Sequence, residues 1–169
     1  MPANIVNIDN LCAELRALAP GSIAALEGFC GSGKTTLADQ LAKLVPMDVC
    51  HVDNFARKFD QPPPYAECLN IGQLHRALEQ REQTRPIVVE GICLRDVLTL
   101  VDVSASIFVY LKRIGINGLW YDELHLEEFE REEPVPGNLI EPHRSDFDYH
   151  ARVRPHEKAD LVFERVEDD

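Results

Sequence analysis

Apolar and polar positions follow two rhythms along this chain. One is helical. Ile8, Leu11, Cys12, Leu15 and Leu18 recur every three or four residues, as do Leu37, Leu41 and Leu44, and then Ile71, Leu74 and Leu78. The other consists of short runs that are apolar on both faces: Ile23-Ala24-Ala25-Leu26, Val49-Cys50-His51-Val52, Pro86-Ile87-Val88-Val89, Ala105 to Leu111, and Ala159-Asp160-Leu161-Val162-Phe163. Such runs suit strands covered on both sides. The pattern predicts five strands, near 22–27, 49–52, 86–89, 105–111 and 159–163. Helices are predicted over 5–19, 34–45, 71–83 and 93–101. Residues 54–70, with Pro62-Pro63-Pro64, read as a loop. Residues 114–156 read as helical with a break at Pro134-Val135-Pro136-Gly137. Strands alternating with helices imply an α/β fold built on a parallel sheet, with helices on both faces. No internal repeat or linker divides the chain, so residues 1–169 are expected to form a single domain.

Between the first strand and the helix after it stands Gly28-Phe29-Cys30-Gly31-Ser32-Gly33-Lys34-Thr35, which fits G-x-x-x-x-G-K-[ST]. In a strand–loop–helix setting this is the P-loop, or Walker A, pattern. Its glycines let successive N–H groups converge on one concavity, and the following helix adds the positive end of its dipole. Gly28, Gly31, Ser32, Gly33, Lys34, Thr35 and Thr36 are therefore the expected nucleotide-binding residues. Lys34 would reach the β- and γ-phosphates of ATP, and the Thr35 hydroxyl would ligate Mg²⁺.

In sheets of this kind ligands bind beyond the carboxyl ends of the strands. Asp53 ends the second predicted strand and Glu90 the third, so both fall on the same rim as the P-loop. Phosphoryl transfer needs positioning and charge neutralisation. A carboxylate near the γ-phosphate can take the proton of an incoming hydroxyl, and a second can hold the metal. Asp53 and Glu90 are the candidates for these two tasks.

Composition removes several alternatives. The net charge of −12 argues against nucleic-acid binding. Seven carboxylates between Asp122 and Glu133, and four from Glu164 to Asp169, read as solvated faces. No apolar run approaches a membrane span, and the N-terminus lacks a signal-peptide pattern. Cys12, Cys30, Cys50, Cys68 and Cys93 are scattered and odd in number, with no C-x-x-C pair, so a cytoplasmic setting with reduced thiols is expected. His143, His150 and His156 do not have metal-ligand spacing. Trp120 fits an amphipathic stripe with Ile116 and Leu124. No N-K-x-D or D-x-x-G motif marks a GTPase.

These pieces together resemble the P-loop small-molecule kinases of the uridine kinase and phosphoribulokinase group. The resemblance is carried by the P-loop through Thr36, by His51-Val52-Asp53-Asn54-Phe55, by Val88-Val89-Glu90-Gly91-Ile92 and by Pro155 to Phe163. It implies a five-stranded sheet of order 2-3-1-4-5, a helical lid over about 112–156, ATP with Mg²⁺, and a small-molecule acceptor. It also implies that Asp53 accepts the acceptor's proton and that Glu90 serves the metal, through water. The region after Asp53 borders the acceptor pocket in that family, which makes Phe55, Arg57, Tyr65 and His75 substrate candidates. The sequence departs from the family where an arginine-rich lid is due. Lys112-Arg113 is followed by Ile114-Gly115-Ile116-Asn117-Gly118 and then by acidic residues. Arg113, Arg144, Arg152 and Arg154 are the nearest cations, with Arg113 carried as the catalytic candidate. Two functions remain open: a kinase acting on a small-molecule hydroxyl such as that of a nucleoside, and a nucleotide-binding regulator or NTP hydrolase with no acceptor.

Overall fold

The computed structural model describes residues 3–5, 7–132 and 139–166. Its strands are β1 (Ala3–Ile5), β2 (Ile23–Glu27), β3 (Asp48–His51), β4 (Ile87–Glu90), β5 (Ile107–Ile114) and β6 (Leu161–Val166). Its helices are α1 (Ile8–Arg16), α2 (Lys34–Leu44), α3 (Tyr65–Cys68), α4 (Ile71–Glu79), α5 (Leu94–Leu100), α6 (Glu123–Glu130), α7 (His143–Val153) and α8 (Pro155–Lys158). All strand pairings are parallel, in the order β1-β6-β5-β2-β4-β3.

The six-strand order replaces the five-strand one. The extra strand, β1, pairs Ala3, Asn4 and Ile5 with Leu161, Val162 and Phe163 at the sheet edge. The expected helix over 5–19 gives up its first turn to this strand. It begins at Ile8 because Asn7 is extended and its side chain accepts a 2.7 Å hydrogen bond from the Asp9 N–H.

β2 is buried at all five positions, because its alternate side chains feed two cores. Ile23 and Ala25 join Val89, Leu74, Leu78 and Leu94 on one face. Ala24 and Leu26 join Val88, Leu37, Leu41, Leu11 and Leu15 on the other. A third cluster gathers Phe29, Trp120 and Leu126 around Tyr110 of β5 and Val162 of β6.

The stretch expected to be a lid contains two described helices that differ in burial. α6 is half exposed, with only Leu126 buried. α7 instead packs down on the loop after β2, burying Asp146, Tyr149 and His150. These residues sit at helical spacing and each has a polar partner, so the helix presents a polar inner face to the loop. Trp120 is buried, but the stripe drawn through it does not exist. Ile116 and Leu124 are 76% and 59% exposed, and Trp120 sits in a turn bridged to Ile114. The expected break at Pro134-Val135-Pro136-Gly137 lies outside the described residues. All five cysteines are free thiols. Among the described residues no helix is long and apolar enough to cross a membrane.

Candidate active site

The loop between β2 and α2 turns back on itself at the carboxyl edge of the sheet. Gly28 allows this, since a Cβ there would lie 2.6 Å from the Leu111 carbonyl oxygen. Gly33 takes φ +96° and leads into α2. Lys34, the first residue of that helix, is 6% exposed, and its Nζ donates to the Phe29 carbonyl at 2.7 Å. The ammonium is thus folded over its own loop, beside backbone that an anion would meet.

Glu90, at the end of β4, is buried. Its Oε1 accepts a hydrogen bond from the Thr35 hydroxyl at 3.1 Å and lies 2.7 Å from His51 Nδ1. His51 Nε2 faces Asp39 Oδ1 of α2 at 3.3 Å. A hydroxyl and a carboxylate oxygen so placed are hard oxygen donors of the kind Mg²⁺ takes. Among the described residues no group of three or more His, Cys, Asp or Glu side chains forms a metal cage. The protein's share of a magnesium site would therefore be small, as is usual where phosphates and waters supply the rest.

Asp53 lies just past β3 in a 3-10 turn, Val52–Phe55, and is exposed. Its Oδ1 accepts a 2.5 Å hydrogen bond from the Tyr65 hydroxyl. Burial, and next the negative charge of Asp53, push the Tyr65 phenol well above its ordinary value, so it stays a donor. Cys30, Lys34, Thr35, Asp53, Tyr65 and Glu90 all line one cavity of about 290 Å³. Gly31, Gly33 and Thr36 line it as well. Ser32, within the loop, is buried.

The other expected residues are elsewhere. Arg113, at the end of β5, lies with its guanidinium 3.4 Å from the centre of the Tyr121 ring. His75 lies between the Val101 carbonyl, 2.7 Å away, and Glu79, at 2.9 Å. Arg57 donates to the Glu67 carbonyl and stands over Phe59. Phe55 packs against the α4 side of the core and borders a separate cavity behind β3. Of the four substrate candidates only Tyr65 reaches the cavity with Asp53. Arg152 and Arg154 are engaged with Asp96 and with Glu130 and Glu157.

Three features at the site were missed from the sequence. Asp146, buried on α7, accepts a 2.6 Å hydrogen bond from the Cys30 N–H through Oδ2, tying the P-loop to that helix. His150, one turn on, stacks on Phe29 at 3.6 Å and faces the Tyr110 hydroxyl at 3.0 Å. Glu27, the residue before Gly28, is fully buried, with Arg95 Nε at 2.9 Å and the Tyr149 hydroxyl at 2.7 Å. Burial raises the Glu27 carboxyl above its usual range, against the pull of Arg95 and Tyr149. The helical spacing of Asp146, Tyr149 and His150 was the available signal.

A G-x-x-x-x-G-K-[ST] loop stands at the carboxyl edge of a fully parallel sheet with two acids on the same rim, and solved structures described as kinases share this fold. Two of the solved structures that resemble it are described as kinases. One is a possible uridine kinase from Bacillus stearothermophilus, with TM-score 0.61 and 18% identity over 92% of this chain and 96% of that one. Another is a candidate fructose transport system kinase from Silicibacter sp. TM1040, with TM-score 0.51 and 18% identity over 94% and 100%. At these identities the likeness is one of fold. No family model matches the chain, and no curated protein matches it.

Proposed function

We propose that this chain transfers the γ-phosphoryl group of ATP to a hydroxyl of a small molecule, with a nucleoside as the first acceptor class to test. One observation carries the reading: Lys34, Thr35, Glu90 and Asp53 line a single cavity, although they come from three separate strand ends. A cytoplasmic setting belongs to the same proposal and rests on the five unpaired thiols.

The loop N–H groups and Lys34 would hold the phosphates, with Lys34 exchanging the Phe29 carbonyl for a phosphate oxygen. Mg²⁺ would supply charge neutralisation at the phosphate oxygens, held by Thr35 and, through water, by Glu90. His51 Nδ1 would hold the Glu90 carboxylate through the same oxygen that Thr35 contacts. Asp53 would accept the acceptor's proton through the oxygen that Tyr65 does not occupy, and Tyr65 would hold the carboxylate's orientation.

The reading is tested by incubating the protein with Mg·ATP and a panel of nucleosides, sugars and vitamins. The expected product is one phosphorylated acceptor formed in step with ADP. Inorganic phosphate as the sole product across the panel, at a rate no acceptor changes, contradicts the proposal in favour of a hydrolase.

A further inference from the structure

β6 ends beside the phosphate loop, and one of its side chains is turned toward it. The Arg165 guanidinium lies across Gly33, where any Cβ would collide with it. Its Nη1 donates to the Ser32 carbonyl at 3.4 Å, a long and weak contact. Gly33, Thr36 and Arg165 line a cavity of about 600 Å³, whose walls include Leu37, Phe163 and Val166. Gly33 and Thr36 also line the 290 Å³ cavity that holds Lys34 and Glu90. Arg165 therefore stands at the seam of two adjoining spaces, one polar at the loop and one largely apolar beside it.

A guanidinium carries five N–H donors in a planar fork suited to phosphate oxygens. Among the described residues Arg165 has no carboxylate partner, whereas Arg95, Arg152 and Arg154 are each held by one or more. In a chain of net charge −12 this is a notable position for an uncommitted cation. It sits in register with Arg113 on the neighbouring strand, so both arginines rise from the same face of the sheet.

We infer that Arg165 is a binding residue for the phosphates held in this loop, exchanging the Ser32 carbonyl for phosphate oxygens. The inference rests on the nucleotide reading above. It assigns the cation to the last strand of the sheet, where the sequence offers no arginine-rich lid. Gly33 then has two tasks: it takes the left-handed turn, and it leaves room for the guanidinium to reach an anion in the loop.

The test is calorimetric titration of ADP and, separately, of inorganic pyrophosphate into the full chain in the presence of Mg²⁺. The proteins compared are wild type, Arg165→Gln, Arg165→Lys and Lys34→Ala. Hydrogen bonds to charged groups are worth enough that Arg165→Gln should weaken both ligands by about tenfold or more, with Arg165→Lys between. Arg165 is exposed near the end of the chain, and equal melting temperatures of the variants confirm that the fold is intact. Weakened ADP with unchanged pyrophosphate would mean contact with the base or ribose, and would overturn the phosphate assignment. Loss of binding in Lys34→Ala but not in Arg165→Gln would overturn this inference and leave the nucleotide reading standing. No loss in Lys34→Ala would overturn both.

Discussion

The residue immediately before the phosphate loop offers a quantitative test of how that loop is held. Glu27 is fully buried, and its charge is matched by Arg95 on α5 and the Tyr149 hydroxyl on α7. Replacing Arg95 by Met keeps an aliphatic stem against Phe108, over which the guanidinium now stands at 3.7 Å, but removes the charge. Breaking a buried pair from one side costs about 3–5 kcal/mol, because a charge is stranded. For a chain of this size that lowers the melting temperature by about 6–20 °C. Burial already raises the Glu27 carboxyl, so the folded state binds its proton more tightly than the unfolded state does. Its contribution is fullest below the ordinary value of 4.5 and is lost as pH rises through the folded value. Arg95→Met should deepen that loss at neutral pH. Adding Glu27→Gln removes the stranded charge, so the double variant should be more stable than Arg95→Met alone, with a coupling of at least about 1 kcal/mol. Urea melts of the four proteins at pH 5 and pH 8 read all of this. A loss below about 1 kcal/mol in Arg95→Met, additive with Glu27→Gln and flat in pH, would refute the view that a compensated charge anchors the strand before the loop.

Other outcomes follow from the same geometry. Glu90→Gln should raise the Mg²⁺ concentration needed for activity more than it weakens metal-free ATP binding, and an unchanged magnesium titration would remove Glu90 from the metal site. Burial, with the neighbouring His150 next, lowers His156 from 6.5 to about 4. Its neutral form therefore stabilises the fold above pH 6.5, and that stability is lost as pH falls toward 4, by on the order of 3 kcal/mol. Urea melts of His156→Phe should show that much less acid sensitivity over this window, and a dependence equal to that of wild type would contradict the burial argument.

The parts of this molecule legible in the sequence are those with a period or a fixed motif. Runs apolar on both faces marked the strands from Ile23 to Phe163, and the P-loop named its own neighbours. β1 was not legible because Ala3-Asn4-Ile5 is too short to show alternation, and its stability comes from β6, more than 150 residues away. The burial of α7 was not legible because its buried face, Asp146, Tyr149 and His150, shows no apolar stripe. Only tertiary partners, the Cys30 N–H, Glu27 and the Tyr110 hydroxyl, make that burial tolerable. Asp53 and Glu90 were legible by their places at strand ends, but the hydrogen bond that the substrate candidate Tyr65 gives Asp53 was not. Arg165 fell beyond the last strand predicted from the sequence, 159–163, and only the longer β6 and the sheet order bring it to the loop after β2.

The central claim is that the cavity shared by Lys34, Glu90 and Asp53 transfers a phosphoryl group to a hydroxyl. The most direct measurement follows ATP consumption and acceptor phosphorylation together in wild type and Asp53→Asn, which keeps the side chain's size and its bond from Tyr65 but loses the base. The account predicts that transfer to the acceptor falls by about a hundredfold or more while ATP affinity stays nearly the same. Equal rates of phosphate release in the two proteins, with no acceptor phosphorylated by either, would contradict it.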